Sequence, residues 1–484
     1  MTLDAGPEPV PLDSKDIAMQ DVVHPDPGHA EQNVDRTAVV IEVWLNDYPV
    51  VPLFLDETRA LAERFTARHP EYRVVVHGRD HLVLPRMVAE AARRGRPPAI
   101  VQNFYTSTQL ARDMLARDGS PLFTSVEAAI GGRTEILGER VVLDDLVAAG
   151  RDYYTDGGEL FAVPPLTSTM LLYTNTTLLR RAGIPAAPAT WREVEAACTA
   201  VEALPSNAAR GVSWPNHGWV FQQALAQQGA LLADHDNGRS GRAERIDLTS
   251  PAMTAFVRWW LTMHRHGHYH YTGVRAAGED TLRAWVENHR AFAEQRVAMV
   301  LSTSVEAQRM VEAGRAGGFD VEVSRMPHND EVPYAGNVIG GDSLWLTAGL
   351  DRETRDGALA FLLYMLDPEN VAARHRSSGF IPVTGAGHER LRHEGWFDAN
   401  PHHRVAVDQL AAGDGSPAAL GALLGDFVGA QDVMTDAMHD VLALGADPVA
   451  RFRSAERAAQ RLLDDYHARL AAGPDIDPRH FRVG

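Results

Sequence analysis

At 484 residues with 45% apolar side chains, the chain is long enough for two or three domains with substantial cores. Its 46 basic against 64 acidic residues leave a net charge of −18, which argues against the basic face that nucleic-acid binding requires. The single cysteine, Cys198, excludes intrachain disulfides and multi-cysteine metal sites, and no apolar run reaches the roughly 18–20 residues of a membrane span.

Residues 1–36 are rich in proline and acid, with neither the basic stretch nor the apolar segment of a signal peptide, so a disordered polar tail is expected there. On this reading the protein is cytoplasmic as the sequence stands, or lipid-anchored outside the cytoplasm if an upstream signal is missing. From Ala38 the pattern becomes regular. Ala38–Leu45 is a β-branched apolar run, Leu55–His69 an amphipathic helix, Tyr72–Val76 a strand, Leu84–Arg94 a helix and Ala99–Phe104 a strand. Thr106 and Gln109 have the spacing of a capping box for the next helix. Strands alternating with helices predict parallel βαβ units, whose ligands lie beyond the carboxyl ends of the strands. That rule points to Trp44–Tyr48, His77–His81 and Phe104–Thr106.

Beyond Leu143 the pattern changes. Glu159–Leu166 and Met170–Asn175 read as two strands separated by Thr167-Ser168-Thr169, and Thr190 with Glu193 forms a second capping box. The chain is then mainly helical, interrupted by the aromatic Ser213–Phe221, until the strand Ala298–Leu301 runs into Ser302-Thr303-Ser304. Near the C-terminus, Gly340-Gly341 precedes the short strand Ser343–Thr347, a helix carrying Ala358, Phe361, Leu362 and Met365, and a helix capped by Asp367 with Pro368 at its first position. The loops at 340–342 and 379–382 are expected to face one cavity. There is no internal repeat.

Several segments together resemble the cluster 1 extracellular solute-binding proteins of ABC importers. They are LLYTNTTLLRRAGIPAAPATWREV (171–194), GGDSLWL (340–346), DPENVAA (367–373) and SSGFIPVT (377–384) through GWFDANP (395–401). The last three are most similar to the glycerol-3-phosphate and glycerophosphodiester branch. The resemblance implies an α/β, two-lobed periplasmic-binding-protein-like fold (type II), each lobe a mixed sheet flanked by helices, closing on a ligand by hinge bending. It implies a first lobe from 37–146 and 304–384, a second from 147–303 and 385–484, and crossovers near 146, 302 and 384. It also implies a monomer that takes a small polyhydroxylated ligand (sugar, polyol or glycerol derivative) to an ABC permease, with no cofactor, metal, nucleic acid or membrane insertion.

Carried over by position, the cleft contacts fall at His81, Tyr105, Ser168, Trp219, Thr303 or Ser304, Gly341, Phe380 and Gln431. His81 and Phe380 replace tyrosines of that branch, Tyr105 replaces a glutamate, and Gln431 aligns with the arginine that pairs with phosphate. A phosphate ligand thereby loses a charge-assisted bidentate partner. Trp44 and Asp47, at the end of the first strand, and Asp342, after the glycine pair, join the binding candidates on the α/β rule. Each has a plainer alternative: Ser168 closes a turn, Asp47 caps one, and Trp214 and Trp219 plug the helical lobe. His264, His266, His268 and His270 alternate, but no acidic or cysteine ligand lies near them in sequence, which favours a solvated loop over a metal site. The alternative function is a cytosolic enzyme or sensor built on the same fold, with His81, Tyr105, Asp342 and Asp47 as acid–base groups.

Overall fold

The computed structural model describes residues 38–48, 53–205, 208–278 and 280–472. The tail expected over 1–36 lies outside them. Ten strands build two sheets: β1 (Val39–Asp47), β2 (Tyr72–Asp80), β3 (Ile100–Phe104), β4 (Phe123–Thr124), β5 (Ala162–Ser168), β6 (Met170–Asn175), β7 (Arg210–Ser213), β8 (Val297–Thr303), β9 (Val321–Arg325) and β10 (Gly340–Thr347). The helices used below are α1 (Leu53–Arg68), α2 (Leu84–Arg93), α3 (Trp191–Glu202), α4 (Gly218–Gln227), α5 (Pro251–Arg265), α6 (Asp280–Ala293), α7 (Arg352–Met365), α8 (Pro368–Ser378), α9 (Gly385–His393) and α10 (Phe427–Ala443).

The first sheet runs β2-β1-β3-β10-β4, with β5 also on β10, and the second runs β7-β8-β6-β9. β1 is parallel to β2 and β3, while β10 is antiparallel to β3. Both sheets are therefore mixed, as the resemblance implies. β5, β6 and β10 are buried at every position, the mark of strands covered on both faces. β5 tolerates Pro164 and Pro165 because it pairs with β10 alone, and a free edge does not need every N–H.

The two sheets group some strands otherwise than the expected lobe bounds. β5 joins the first sheet although 147–303 was expected in the second lobe, and β9 joins the second sheet although 304–384 was expected in the first. The chain changes sheets at Thr169, between β5 and β6, and again between β9 and β10, so the expected crossover at 302 is instead the end of β8. The other two expected crossovers lie side by side, with Val147 N–H donating to Val383 C=O at 3.0 Å beside a bridge between Leu146 and Thr384. Amide side chains satisfy the backbone where it changes sheets. Gln409 Nε2 donates to Met170 C=O (2.7 Å) and to Thr169 Oγ1 (3.1 Å), while Gln223 Nε2 donates to Val338 C=O (2.9 Å). Thr169 Oγ1 donates to the same Val338 carbonyl at 3.1 Å. A buried carbonyl left unpaired costs a few kcal/mol, so these side chains keep an irregular stretch in the interior.

Local signals mostly read true. Thr190 and Glu193 form the reciprocal capping box of α3, worth about 1 kcal/mol, and Asp367 caps α8 ahead of Pro368. Thr106 caps nothing: a 3₁₀ turn occupies Tyr105–Ser107, and the buried Thr106 hydroxyl lacks a partner. Trp214 belongs to the core, stacked on Trp259 at 5.3 Å, which stacks in turn on Trp191 at 4.9 Å. The histidines of 264–270 disperse, His268 to Glu202 (2.8 Å) and His270 to Arg296 (3.2 Å). Cys198 is fully buried in α3 against β7, where a Cβ on Gly211 would overlap its Sγ.

Four further histidines lie along α8, α9 and the turn at 401–403. His375 of α8 lies 5.0 Å from the ring of His403, which lies 4.5 Å from His402, and His388 of α9 stacks on Phe397 at 4.8 Å. His375 Nδ1–H donates to Phe380 C=O at 2.7 Å. Burial, and then the neighbouring rings, push His403 down to about 3, while burial takes His375 to about 4. His388 and His402 are lowered as well, chiefly by burial, with Arg392, Arg404, Glu389 and Asp408 facing the first and Arg315 and Glu312 the second. The unfolded chain protonates first, near pH 6.5, so stability present above that value is lost as pH falls toward 4. Lowering pH from 7.5 to 5.0 is expected to cost a few kcal/mol, about 2 from each deeply buried ring. Thermal melts of the wild type and of His403→Phe, in which the loss shrinks, check this; an acid-insensitive melting temperature would rule it out.

Candidate functional site

The first sheet turns four strand ends toward one edge: the C-terminal ends of β1, β3 and β5 and the N-terminal end of the antiparallel β10. Asp342 pairs with Phe104 and Gly340 with Ser168. Two glycines make the approach of β5 to β10 possible. Gly341 has φ +110°, and a Cβ there would overlap Leu166 C=O. A Cβ on Gly340 would lie 2.8 Å from Trp219 Cζ2 and 3.2 Å from Ser168 Oγ. Trp219, in the first turn of α4, thus lies against the backbone of β10, and its indole N–H donates to Ile339 C=O at 3.2 Å.

Asp342 is the polar centre of this edge. Its Oδ1 accepts from Tyr48 Oη (3.0 Å) and Asn46 Nδ2 (3.2 Å), and Asn46 N–H donates to Gln102 Oε1 at 2.9 Å. Burial raises the carboxyl to about 6, while the hydrogen bonds from Tyr48 and Asn46 pull the other way. Through these two bonds the carboxyl holds the end of β1 in place. His81 lies against Tyr48, ring centroids 5.0 Å apart, half-buried and lowered mainly by burial. Tyr105 is buried, and Gln431 Nε2 at the start of α10 donates to its hydroxyl at 3.0 Å. Burial holds the Tyr105 phenol well above its ordinary range, so it stays neutral. Gly218 permits this meeting, since a Cβ there would strike Gln431.

Tyr48, His81, Tyr105, Ser168, Trp219, Gly341, Asp342 and Gln431 are thus brought together by strand ends, α4 and α10. Other candidates are diverted. Asp47 lies on the opposite face of β1 from Asn46, exposed and near Gly78 of β2. Trp44 has one face covered by the Arg79 guanidinium at 4.9 Å. Ser304 is spent on the crossover: its hydroxyl accepts from Thr169 N–H (3.1 Å) and its own N–H donates to Thr169 C=O (2.7 Å). Thr303 accepts from Tyr173 Oη through its carbonyl at 2.7 Å and stays half-buried. Phe380, also half-buried, is tied through its carbonyl to His375. Asn46 and Tyr48 were not singled out from sequence, although both fall within the stretch that the strand-end rule marked.

Two sheet-centred halves, chain crossings between them and a polar, aromatic edge fed from both define a binding protein of the two-lobed kind. The family model for bacterial extracellular solute-binding proteins matches residues 60–403, and the chain belongs to that family. Among curated relatives, the sn-glycerol-3-phosphate-binding periplasmic protein UgpB of Salmonella typhimurium is 26% identical over 394 residues, 80% of this chain and 84% of its own. The Yersinia pestis UgpB is 26% identical over 416 residues, 84% and 89% of the two chains. Among solved structures, UgpB from Mycobacterium tuberculosis in complex with glycerophosphocholine matches with a TM-score of 0.67 at 20% identity, covering 88% of this chain and 99% of its own. The cyclic alpha-maltosyl-1,6-maltose binding protein from Arthrobacter globiformis matches with a TM-score of 0.68 at 18% identity, covering 88% and 100%.

The chain is therefore a solute-binding protein that holds a small ligand between its lobes and serves an ABC permease. The expected cytoplasmic location is overturned, because the family is extracellular and its curated relatives are periplasmic; this protein works outside the cytoplasm. Gly340→Ala tests the geometry of the edge. The added Cβ must displace Trp219, and overpacking of this kind costs about 1–3 kcal/mol. A lower melting temperature and a shifted tryptophan emission are expected, and an unchanged spectrum would mean that Trp219 does not rest on β10.

Proposed function

We propose that the ligand is a small polyhydroxylated molecule, neutral or cationic: a sugar, a polyol or a glycerol derivative without a terminal phosphate dianion. One observation carries this reading. Gln431, at the place where the resembling branch has its phosphate-pairing arginine, is a neutral amide bonded to the neutral Tyr105 phenol. A dianion there gains no charge-assisted fork from α10 and meets an acidic side chain, Asp342, on the same edge. The cation at the end of β2, Arg79, is engaged with the Trp44 ring. Hydroxyl groups suit what remains: an amide, hydroxyls, a carboxylate and an indole wall. The glycerophosphocholine held by the Mycobacterium protein and the cyclic saccharide of the Arthrobacter protein's name lie within this class, since neither carries a phosphate monoester.

Binding to the native state must raise the melting temperature, by about 2.7 kcal/mol of stability at 100 times Kd. A thermal-shift panel of maltose, glucose, glycerol, glycerophosphocholine and glycerol 3-phosphate is expected to give a shift of several degrees with at least one uncharged or zwitterionic compound and almost none with glycerol 3-phosphate. A sub-micromolar Kd for glycerol 3-phosphate would refute the reading. Gln431→Arg supplies the missing fork, and isothermal titration is expected to give it at least tenfold tighter glycerol 3-phosphate binding than the wild type.

A further inference from the structure

Away from the strand-end edge, two helices begin beside each other and leave a recess between their N-terminal turns. Ser250 caps α5, its Oγ accepting the Met253 N–H at 3.2 Å, with Pro251 at the first position. Asp447 caps α11 (Pro448–Ala471) in the same way, accepting the Ala450 N–H at 2.8 Å ahead of Pro448. The recess encloses about 300 Å³, is open to solvent on one side, and is lined by none of the residues of the Asp342–Gln431 edge. Leu248, Met253, Val257 and Phe452, all buried, give it an apolar wall. Arg258 of α5 and Arg453 of α11 complete the lining. Both arginines are exposed, and neither forms an ion pair among the described residues. The carboxylates close to them in sequence are taken. Asp247 accepts the Thr249 N–H (2.8 Å), Asp447 is spent on the cap, and Glu456 accepts the Leu248 N–H (3.0 Å) and the Thr249 hydroxyl (2.8 Å). In a chain of net charge −18, two guanidinium groups beside an apolar wall are thus left for an acid that the chain does not supply.

We propose that this recess is a second binding site, for a medium-chain alkyl carboxylate. The alkyl chain lies against Leu248, Met253, Val257 and Phe452, and the carboxylate is held at the rim by Arg258 and Arg453, whose planar forks match it. Met253 adds an unbranched, polarisable side chain that adapts to a flexible occupant. Size selects a small ligand over a protein partner. A stable protein interface takes about 800 Å² from each side, whereas 300 Å³ stands at the small end of the range for ligand pockets. Charge selects the anion: an alkyl chain ending in a cation gains the same apolar contact and is repelled by both arginines. The site is separate from the cleft, so the inference goes beyond the polyhydroxylated-ligand reading and does not depend on it.

Isothermal titration of the full chain with octanoate, butanoate and octyltrimethylammonium tests it, on the wild type and on the double variant Arg258→Gln/Arg453→Gln. The wild type is expected to bind octanoate saturably at one site per chain. Butanoate binds at least tenfold more weakly, since each buried methylene is worth about fourfold in affinity, and octyltrimethylammonium is weaker than octanoate by a similar factor. The double variant loses at least tenfold in octanoate affinity while its melting temperature stays within error of the wild type, because both side chains are exposed. Absence of saturable octanoate binding would overturn the site. So would equal affinity for the cationic chain, or octanoate binding that survives in the double variant and therefore lies elsewhere. Butanoate bound as tightly as octanoate would reduce the recess to a pair of anion-binding arginines and overturn it as well. None of these outcomes bears on the cleft ligand, which the thermal-shift panel tests by itself.

Discussion

The binding edge depends on how near one stretch of backbone comes to another. Gly340 and Gly341 let β10 lie against β5 and under Trp219, and a single Cβ at either position removes that contact. Everything else at the edge is placed relative to this approach. Asp342 follows directly and gathers Tyr48 and Asn46, so the end of β1 is positioned by the head of β10. Trp219 brings α4 with it, and Gly218 next to it brings α10 with Gln431. One close backbone contact thus sets the distance between side chains from five separate segments.

The polar residues of this region divide by task. Ser304, Thr169, Gln223 and Gln409 are consumed in holding the chain where it passes between sheets. Because these bonds run between backbone and side chains of different segments, the crossings are well braced. Motion of the halves must then draw on φ/ψ changes beside the braces, rather than on breaking them. The residues left to meet a solute are those whose side chains bond one another rather than the backbone, such as Tyr105 with Gln431, and those that remain half-buried, such as His81.

Much of the architecture was legible in sequence because it rests on local rules. The capping box at Thr190, the Asp367-Pro368 start and the buried strands needed only neighbours in the chain. What escaped was non-local. A short, half-exposed strand such as Val321–Arg325 carries no mark of which sheet it joins. Trp44 satisfies the strand-end rule, yet Arg79, in register with Asn46 on the next strand, covers it. Thr106 has the right spacing for a cap, but the chain tightens into a 3₁₀ turn before the helix begins. Trp285 lies in an ordinary amphipathic helix, and nothing in its neighbours tells that its ring meets Trp219 across 65 intervening positions, whereas the ordered motifs that carried the family resemblance were distributed along the whole fold.

Cys198 has a practical meaning for this molecule. It is the sole thiol of the chain, fully buried against Gly211, and burial raises it well above its ordinary value. Thiolate chemistry therefore passes it by in the folded protein. Cysteines introduced at exposed positions, one in each sheet-centred half, take spin labels or fluorophores without prior removal of the native residue. The opening angle of the two halves becomes a directly measurable distance in an otherwise unaltered protein.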